Sequence, residues 1–262
     1  MSSVSTAFVV FLSLFGGAML GMGMAGRLAD HHLTKETQDA VKLGVGMVVA
    51  VASLILGLMT TSVKSNFDAT QRDVHQFSTY LITLDSTLRD YGPDAEPARS
   101  ALTAFSRHLL EQSWHLADPQ AAPQAPATPE VPDPWSQVKF SGVSHAIQAL
   151  SPQNPLQSEL KAHALATSRS LALLRWTVIQ ESVDTVPPAF TAVLIVWLTL
   201  IFISFGLFAP VNRVSVTAFL LCAVCLAGAM FLILEMSSPF EGLINVSPIA
   251  IEHALAQMLK PI

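Results

Sequence analysis

Cysteine is almost missing from this chain of 262 residues, which has only Cys222 and Cys225. Both fall in one apolar stretch, so the long polar middle folds without a disulfide, and cysteine usage leaves its compartment open. Charge is also sparse: 13% of residues are charged against 51% apolar, outside the usual balance of a soluble domain. Basic charge is the scarcer sign, with 14 Lys and Arg against 19 Asp and Glu and a net charge of -5. No basic surface is left to neutralise a phosphate backbone, so nucleic acid is excluded as a partner. A glycine-rich phosphate loop, a nucleophile elbow and a metalloprotease helix are all missing. No catalytic residue, metal or cofactor is expected, and the chain reads as a non-enzyme.

What the chain has in quantity is long apolar runs. They lie at about 6–25, 43–63, 188–209 and 214–234, each close to the roughly 20 residues an α-helix needs to cross hydrocarbon. The expected fold is all-α: an integral membrane protein with four transmembrane helices in two hairpins and an extramembrane helical bundle between them. The first run has the length of a signal peptide, and Gly23-Met24-Ala25 has the small-x-small form of a cleavage site. Met1 to Thr6 has no charged side chain, however, and so no basic n-region; a retained helix is the reading.

Punctuation divides the chain into a first hairpin at 1–63, a helical domain at 64–186, a second hairpin at 187–236 and a tail at 237–262. Thr34 is placed to cap a helix with Glu36 in its first turn. That helix is expected to run unbroken from about 35 to 90, where Gly92 and Pro93 stop it. Asp94 and Pro97 open another, striped by Ala98, Leu102, Phe105 and Leu109, to about 116. Between 118 and 134 six prolines alternate with Ala, Gln and Thr, the composition of an extended surface linker. Helical spacing resumes at Phe140, Val143, Ile147 and Leu150. Asn154, Pro155 and Gln157 then start a helix running to about 184, with Leu160, Ala164, Leu171, Leu174 and Val178 on one side. Four amphipathic helices suffice to bury a shared core. After the last span, Ser247 and Pro248 open a short helix carrying Ile249, Ile251, Leu255, Met258 and Leu259, suited to the membrane interface or to the bundle. No internal repeat relates the hairpins, which argues against a secondary transporter.

Two features of the spans bear on function. In the first, Gly17, Gly21 and Ala25 make a smooth strip for close backbone approach, with Phe8, Phe11 and Phe15 on another face. In the second, Gly46, Ala50, Ser53 and Gly57 recur at helical spacing and continue to Thr60 and Thr61. The same phase is expected to carry on below as a heptad-like seam of Phe67, Val74, Phe77, Leu81, Leu84 and Leu88. The Gly46–Thr61 strip suits tight helix packing and equally a pore wall of small and hydroxyl groups. His108 and His115 stand seven residues apart, about 10 Å at helical rise, too far to share a metal unaided. His31 and His32 point to different faces. Cys222 and Cys225 have CxxC spacing, but in an apolar helix where thiolate is disfavoured, so packing is their expected role.

The segment Thr185-Val186-Pro187-Pro188, the paired terminal spans and the run Leu234-Glu235-Met236-Ser237-Ser238-Pro239-Phe240-Glu241-Gly242-Leu243-Ile244-Asn245-Val246-Ser247 resemble the bestrophin-like domain family of bacterial membrane proteins. The likeness covers nearly the full length and is most specific in Pro239, Phe240, Gly242 and the residues after them. Members often have an acidic residue two places before the proline; here Ser237 stands there and Glu235 lies two further out. The resemblance implies kinship with bestrophins, pentameric anion channels with two membrane hairpins around a helical domain, and a place in the bacterial inner membrane.

Two functions therefore stand side by side. One is a homo-oligomeric channel for a small inorganic ion with the second helix around the axis, the lipid bilayer being its other partner. The other is a membrane-anchored scaffold or sensor that binds a protein, favoured by the lack of intramembrane charge. Arg27, Lys35 and Lys42 place the first connection in the cytoplasm by the positive-inside rule. Lys64, Arg72, Arg175 and the family resemblance place the bundle there instead, and the sequence leaves the side open.

Overall fold

The computed structural model describes residues 3–25, 34–114, 140–183, 188–240 and 242–260. His31, His32, His115, Arg27, Glu241, the linker at 118–134 and Thr185-Val186-Pro187 lie outside them. Among the described residues there are eight α-helices and no strand: α1 (Ser3–Ala25), α2 (Lys35–Tyr91), α3 (Glu96–Ser113), α4 (Ser141–Gln148), α5 (Pro155–Val183), α6 (Pro188–Phe208), α7 (Arg213–Met236) and α8 (Ile249–Met258). A 3-10 turn, Pro93–Ala95, separates α2 from α3. Four helices, α1, α2, α6 and α7, are long and apolar enough to cross a membrane. In hydrocarbon no water pairs with exposed backbone groups, and helices answer that by pairing their own.

The helix ends follow local chemistry. Thr34 Oγ1 accepts from the Thr37 N–H at 3.3 Å and the Thr34 carbonyl accepts from Gln38 at 2.9 Å, which starts α2. Gly92 ends it at φ 108°, a conformation open to glycine. At the start of α5, Asn154 Oδ1 accepts from the Gln157 N–H at 2.8 Å and Gln157 Oε1 accepts from the Gln153 N–H at 2.8 Å, a reciprocal cap. Asn212 caps α7 through Ser215.

The chain packs as two compact units. The first is Met1–Asn66, Thr185–Ser238 and Gly242–Ile244; the second is Phe67–Asp184, Pro239–Glu241 and Asn245–Ile262. In the first, Val10, Leu14 and Ala18 of α1 pack with Leu194, Leu198 and Phe202 of α6 and with Ala223, Ala227 and Met230 of α7. The glycine strip of α1 receives α6: a Cβ at Gly21 would strike the Ile203 carbonyl, and one at Gly206 would strike the Ala18 carbonyl. Phe11 and Phe15 stack at 5.9 Å, while Phe8 stays exposed.

In the second unit the core is Phe77, Leu81, Leu84 and Leu88 of α2, Leu102 and Leu109 of α3, Ile147 of α4 and Leu171 of α5. Phe105 and Phe140 meet edge to face at 4.9 Å. Asp85, 3% exposed, accepts from Arg89 Nε at 2.9 Å and Arg99 Nε at 3.0 Å. Arg89 Nη2 also donates to the carbonyls of Gln257, Met258 and Lys260 at 3.0–3.2 Å, capping the C-terminus of α8. Of the two expected places for α8, the interface or the bundle, the structure shows the bundle: Ile251, Ala254 and Met258 are buried there.

Three expectations are corrected. α3 ends at Ser113, short of 116, because Trp114 leaves helical geometry. The buried line of α2 in the membrane unit is Val45, Val49, Ala52, Leu56, Met59 and Val63, and its next positions are Phe67, Thr70, Val74, Phe77, Leu81, Leu84 and Leu88. The Gly46 strip is a separate line. Gly46 is exposed and Phe67 is buried, so the two, three heptads and about 60° apart on a straight helix, lie on different lines. Cys222 and Cys225 are exposed on α7, since its buried side is taken by Ala223, Ala227 and Met230.

Two substitutions test this packing. Gly206→Leu is expected to cost about 2 kcal/mol or more by overpacking, whereas Gly228→Leu, where added atoms meet open space, changes the detergent-solubilised melting temperature little. Asp85→Ala strands two arginines and is expected to cost about 3 kcal/mol or more by the same measurement.

Candidate functional site

All six strip residues of α2, Gly46, Ala50, Ser53, Gly57, Thr60 and Thr61, are exposed on the subunit. A Cβ at Gly46 or Gly57 would meet no atom within 4 Å, in contrast to the filled glycine strip of α1. Besides Gly44 and Ser62, the membrane part of α2 also exposes large apolar residues, Leu43, Met47, Leu54 and Leu58 at 63–72%. That is the pattern of a lipid-facing side. The strip differs in kind. Thr60 Oγ1 donates to the Leu56 carbonyl at 2.7 Å and Thr61 Oγ1 to the Gly57 carbonyl at 3.0 Å. Their donors are thereby satisfied within the helix, and oxygen lone pairs face outward.

Below Thr61 the same side of α2 carries Lys64, Asp68, Arg72, His75 and Thr79, exposed or half-buried. Gly46, Gly57, Asp68 and Thr79 are separated by steps of eleven residues. An eleven-residue step drifts about 20° on a straight helix, as much as a heptad does in the opposite sense, so Gly46 and Thr79 stand about 60° apart. Sequence reasoning missed the continuation because it followed the heptad. The signal was present as an uninterrupted succession of small and polar residues at three- and four-residue steps. Asp73, off this line, has its carboxyl pKa raised by burial, with the neighbouring Arg72 pulling the other way.

The second cluster is the run after α7. In the membrane unit, Glu235 is 3% exposed in the last turn of α7. A carboxylate there faces the negative end of the helix dipole and loses solvent, so it needs a donor. The Leu243 N–H supplies one to Oε1. The chain reaches that position through Gly242 at φ 91°, and a Cβ on Gly242 would collide with the Glu235 carboxylate. Glycine is therefore demanded twice, by conformation and by space.

In the other unit the same run closes on itself and on α3. The Val246 N–H donates to the Pro239 carbonyl at 2.7 Å. Trp114 Nε1 donates to the Val246 carbonyl at 2.6 Å, and its ring meets Phe240 edge to face at 5.5 Å. Pro239 and Val246 are buried. Trp114 carries no sequence signal of this role, because its partners lie more than a hundred residues away.

Among the described residues, no group of three or more His, Cys, Asp or Glu side chains is placed to hold a metal. The Bestrophin-like domain model matches residues 12–251. The chain belongs to the bestrophin-like family. Its fold is similar to that of solved bacterial bestrophin homologues from Klebsiella pneumoniae. One mutant form has a TM-score of 0.70 at 18% identity, covering 97% of this chain and 99% of that one. A second mutant form has a TM-score of 0.69 at 17% identity, covering 99% and 97%. A third structure, phased on zinc, has a TM-score of 0.66 at 17% identity, covering 96% and 97%. No curated protein matches the chain. This bestrophin-like chain is thus a multi-pass membrane protein of the bestrophin fold.

Gly242→Ala is expected to release the 239–246 run, with faster amide exchange at Leu243 and Val246 and a loss of about 2 kcal/mol or more. Glu235→Gln keeps an acceptor for the Leu243 N–H, and its exchange pattern is expected to stay close to wild type. Trp114→Phe keeps the ring and loses the hydrogen bond, at about 1 kcal/mol.

Proposed function

We propose that the chain assembles as a homo-oligomeric ion channel of a bacterial inner membrane, with the exposed strip of α2 from each copy turned toward a shared axis. The observation that carries this reading is the strip itself. Gly46, Ala50, Ser53, Gly57, Thr60 and Thr61 are exposed, small or hydroxylated, and lie along one side of a helix that elsewhere exposes Leu43, Met47, Leu54 and Leu58. Small residues let backbones approach closely, and hydroxyl oxygens tolerate water. In a monomer the room left at Gly46 and Gly57 would have no helix to fill it.

The permeant species in this reading is a small inorganic ion, with an anion favoured by kinship to the bestrophin fold. No step of chemical catalysis is involved. Selection and gating fall to side chains on the axis, and apolar constrictions that dewet are one available device.

The test is flux through purified protein in liposomes, with the mass of the solubilised particle measured first. A multimer passing chloride or a small cation is expected. In a Cys222→Ser, Cys225→Ser background, Ser53→Cys treated with a bulky thiol reagent is expected to lose at least about tenfold in flux. Leu221→Cys, exposed on α7, is expected to change little under the same treatment. A monomer, or a multimer tight to every ion tried, would count against the reading.

A further inference from the structure

Within the membrane unit, α2 and α6 leave a groove of about 670 Å3 between them. Val41, Gly44, Val48 and Val51 line one wall; Trp197 and Leu200 line the other. The polar lining group, Ser204, already donates its hydroxyl to the Leu200 carbonyl at 2.8 Å. A Cβ at Gly44 would meet no atom within 4 Å, so the hollow is open there. Besides that hydroxyl the lining offers the Trp197 indole N–H, too few groups to hold water, which needs roughly two to four polar partners. In a helix pair that crosses a bilayer, the fluid available to fill it is hydrocarbon.

Position and length favour lipid over a second copy of the chain. At 100° per residue the α2 lining lies about 170° round the helix from the centre of the Gly46–Thr61 strip. It runs without a break into the exposed apolar belt, where Met47 is 72%, Val51 48% and Leu200 55% exposed. This belt is the surface that meets the bilayer. From Val41 to Val51 the groove extends about 15 Å along the helix, the depth of one leaflet of a roughly 30 Å hydrocarbon core.

We propose that this groove seats one acyl chain of a membrane phospholipid, lying lengthwise between Gly44 and Trp197. The proposal rests on the reading that the α2 strip faces the axis of a homo-oligomer, which turns the groove outward. Trp197 supplies a flat apolar wall, and the missing side chain at Gly44 supplies the room. The lipid acts as a wedge that fixes the spacing of α2 and α6.

The test counts phospholipid retained per chain in the full-length protein purified in mild detergent, by phosphorus assay and native mass spectrometry. Wild type and Gly228→Phe, a control at an open glycine of α7, are expected to keep one phospholipid per chain. Gly44→Phe is expected to lose it at unchanged subunit number, and Val48→Trp serves the same purpose should Gly44→Phe not assemble. A wild-type particle free of phospholipid, or groove variants that retain it, overturns the proposal. So does a groove variant with an altered subunit number, because a second copy would then occupy the groove. A monomeric wild type that keeps its lipid supports the seat and overturns the channel reading, so the two fail separately.

Discussion

Hydrocarbon gives an unpaired backbone amide nothing to bond with, and the membrane unit is built around that constraint. Its four candidate spans satisfy their backbones internally and differ in what their side chains meet. α1 and α6 close on each other through Gly21 and Gly206, where a single added carbon would strike main chain. α2 buries Ala52 and Val63 against the other spans and leaves its own small strip uncovered. The proposed function rests on that uncovered side, where Gly46 and Gly57 leave room for another helix to approach.

The same helix continues out of the span as the spine of the second unit. What changes is the nature of its buried side: Phe77, Leu81, Leu84 and Leu88 fill the apolar core of that unit, and Asp85 gathers Arg89 and Arg99 beside them. Replacing such a buried cluster by apolar groups can be neutral for stability, so its value lies in placement. Arg89 reaches three carbonyls at the end of α8 and thereby fixes the C-terminal helix. The Pro-Phe-x-Gly run upstream of α8 is held by contacts of the same kind: a ring for Phe240, a carbonyl for Trp114 and an N–H for Glu235. Glu235, Phe240 and Gly242 thus each have a local physical reason.

Much of this was legible in the sequence, for reasons that can be stated. The spans were readable because an apolar run of about 20 residues has few other uses. The starts of α2 and α5 and the end of α2 were readable because Thr34, Asn154 and Gly92 act on backbone atoms a few residues away. The strip was visible as a strip, but its phase was misjudged: a heptad followed over three repeats accumulates about 60° of error on a straight helix. The exposure of Cys222 and Cys225 was likewise hidden, since hydropathy is blind to which side of α7 faces its neighbours. Trp114 and Arg89 were missed altogether. Their partners, Val246 and the carbonyls at 257–260, are brought close by the fold alone, and no spacing in the chain announces them.

The central claim is that the Gly46–Thr61 side of α2 meets the same side of other copies. The most direct measurement is disulfide cross-linking in native membranes, with one cysteine at Ser53 in a Cys222→Ser, Cys225→Ser background. The account predicts covalent dimers from Ser53→Cys and none from Leu221→Cys in the same background. A chain that stays monomeric at position 53 under oxidation, or that cross-links through position 221 instead, would contradict it.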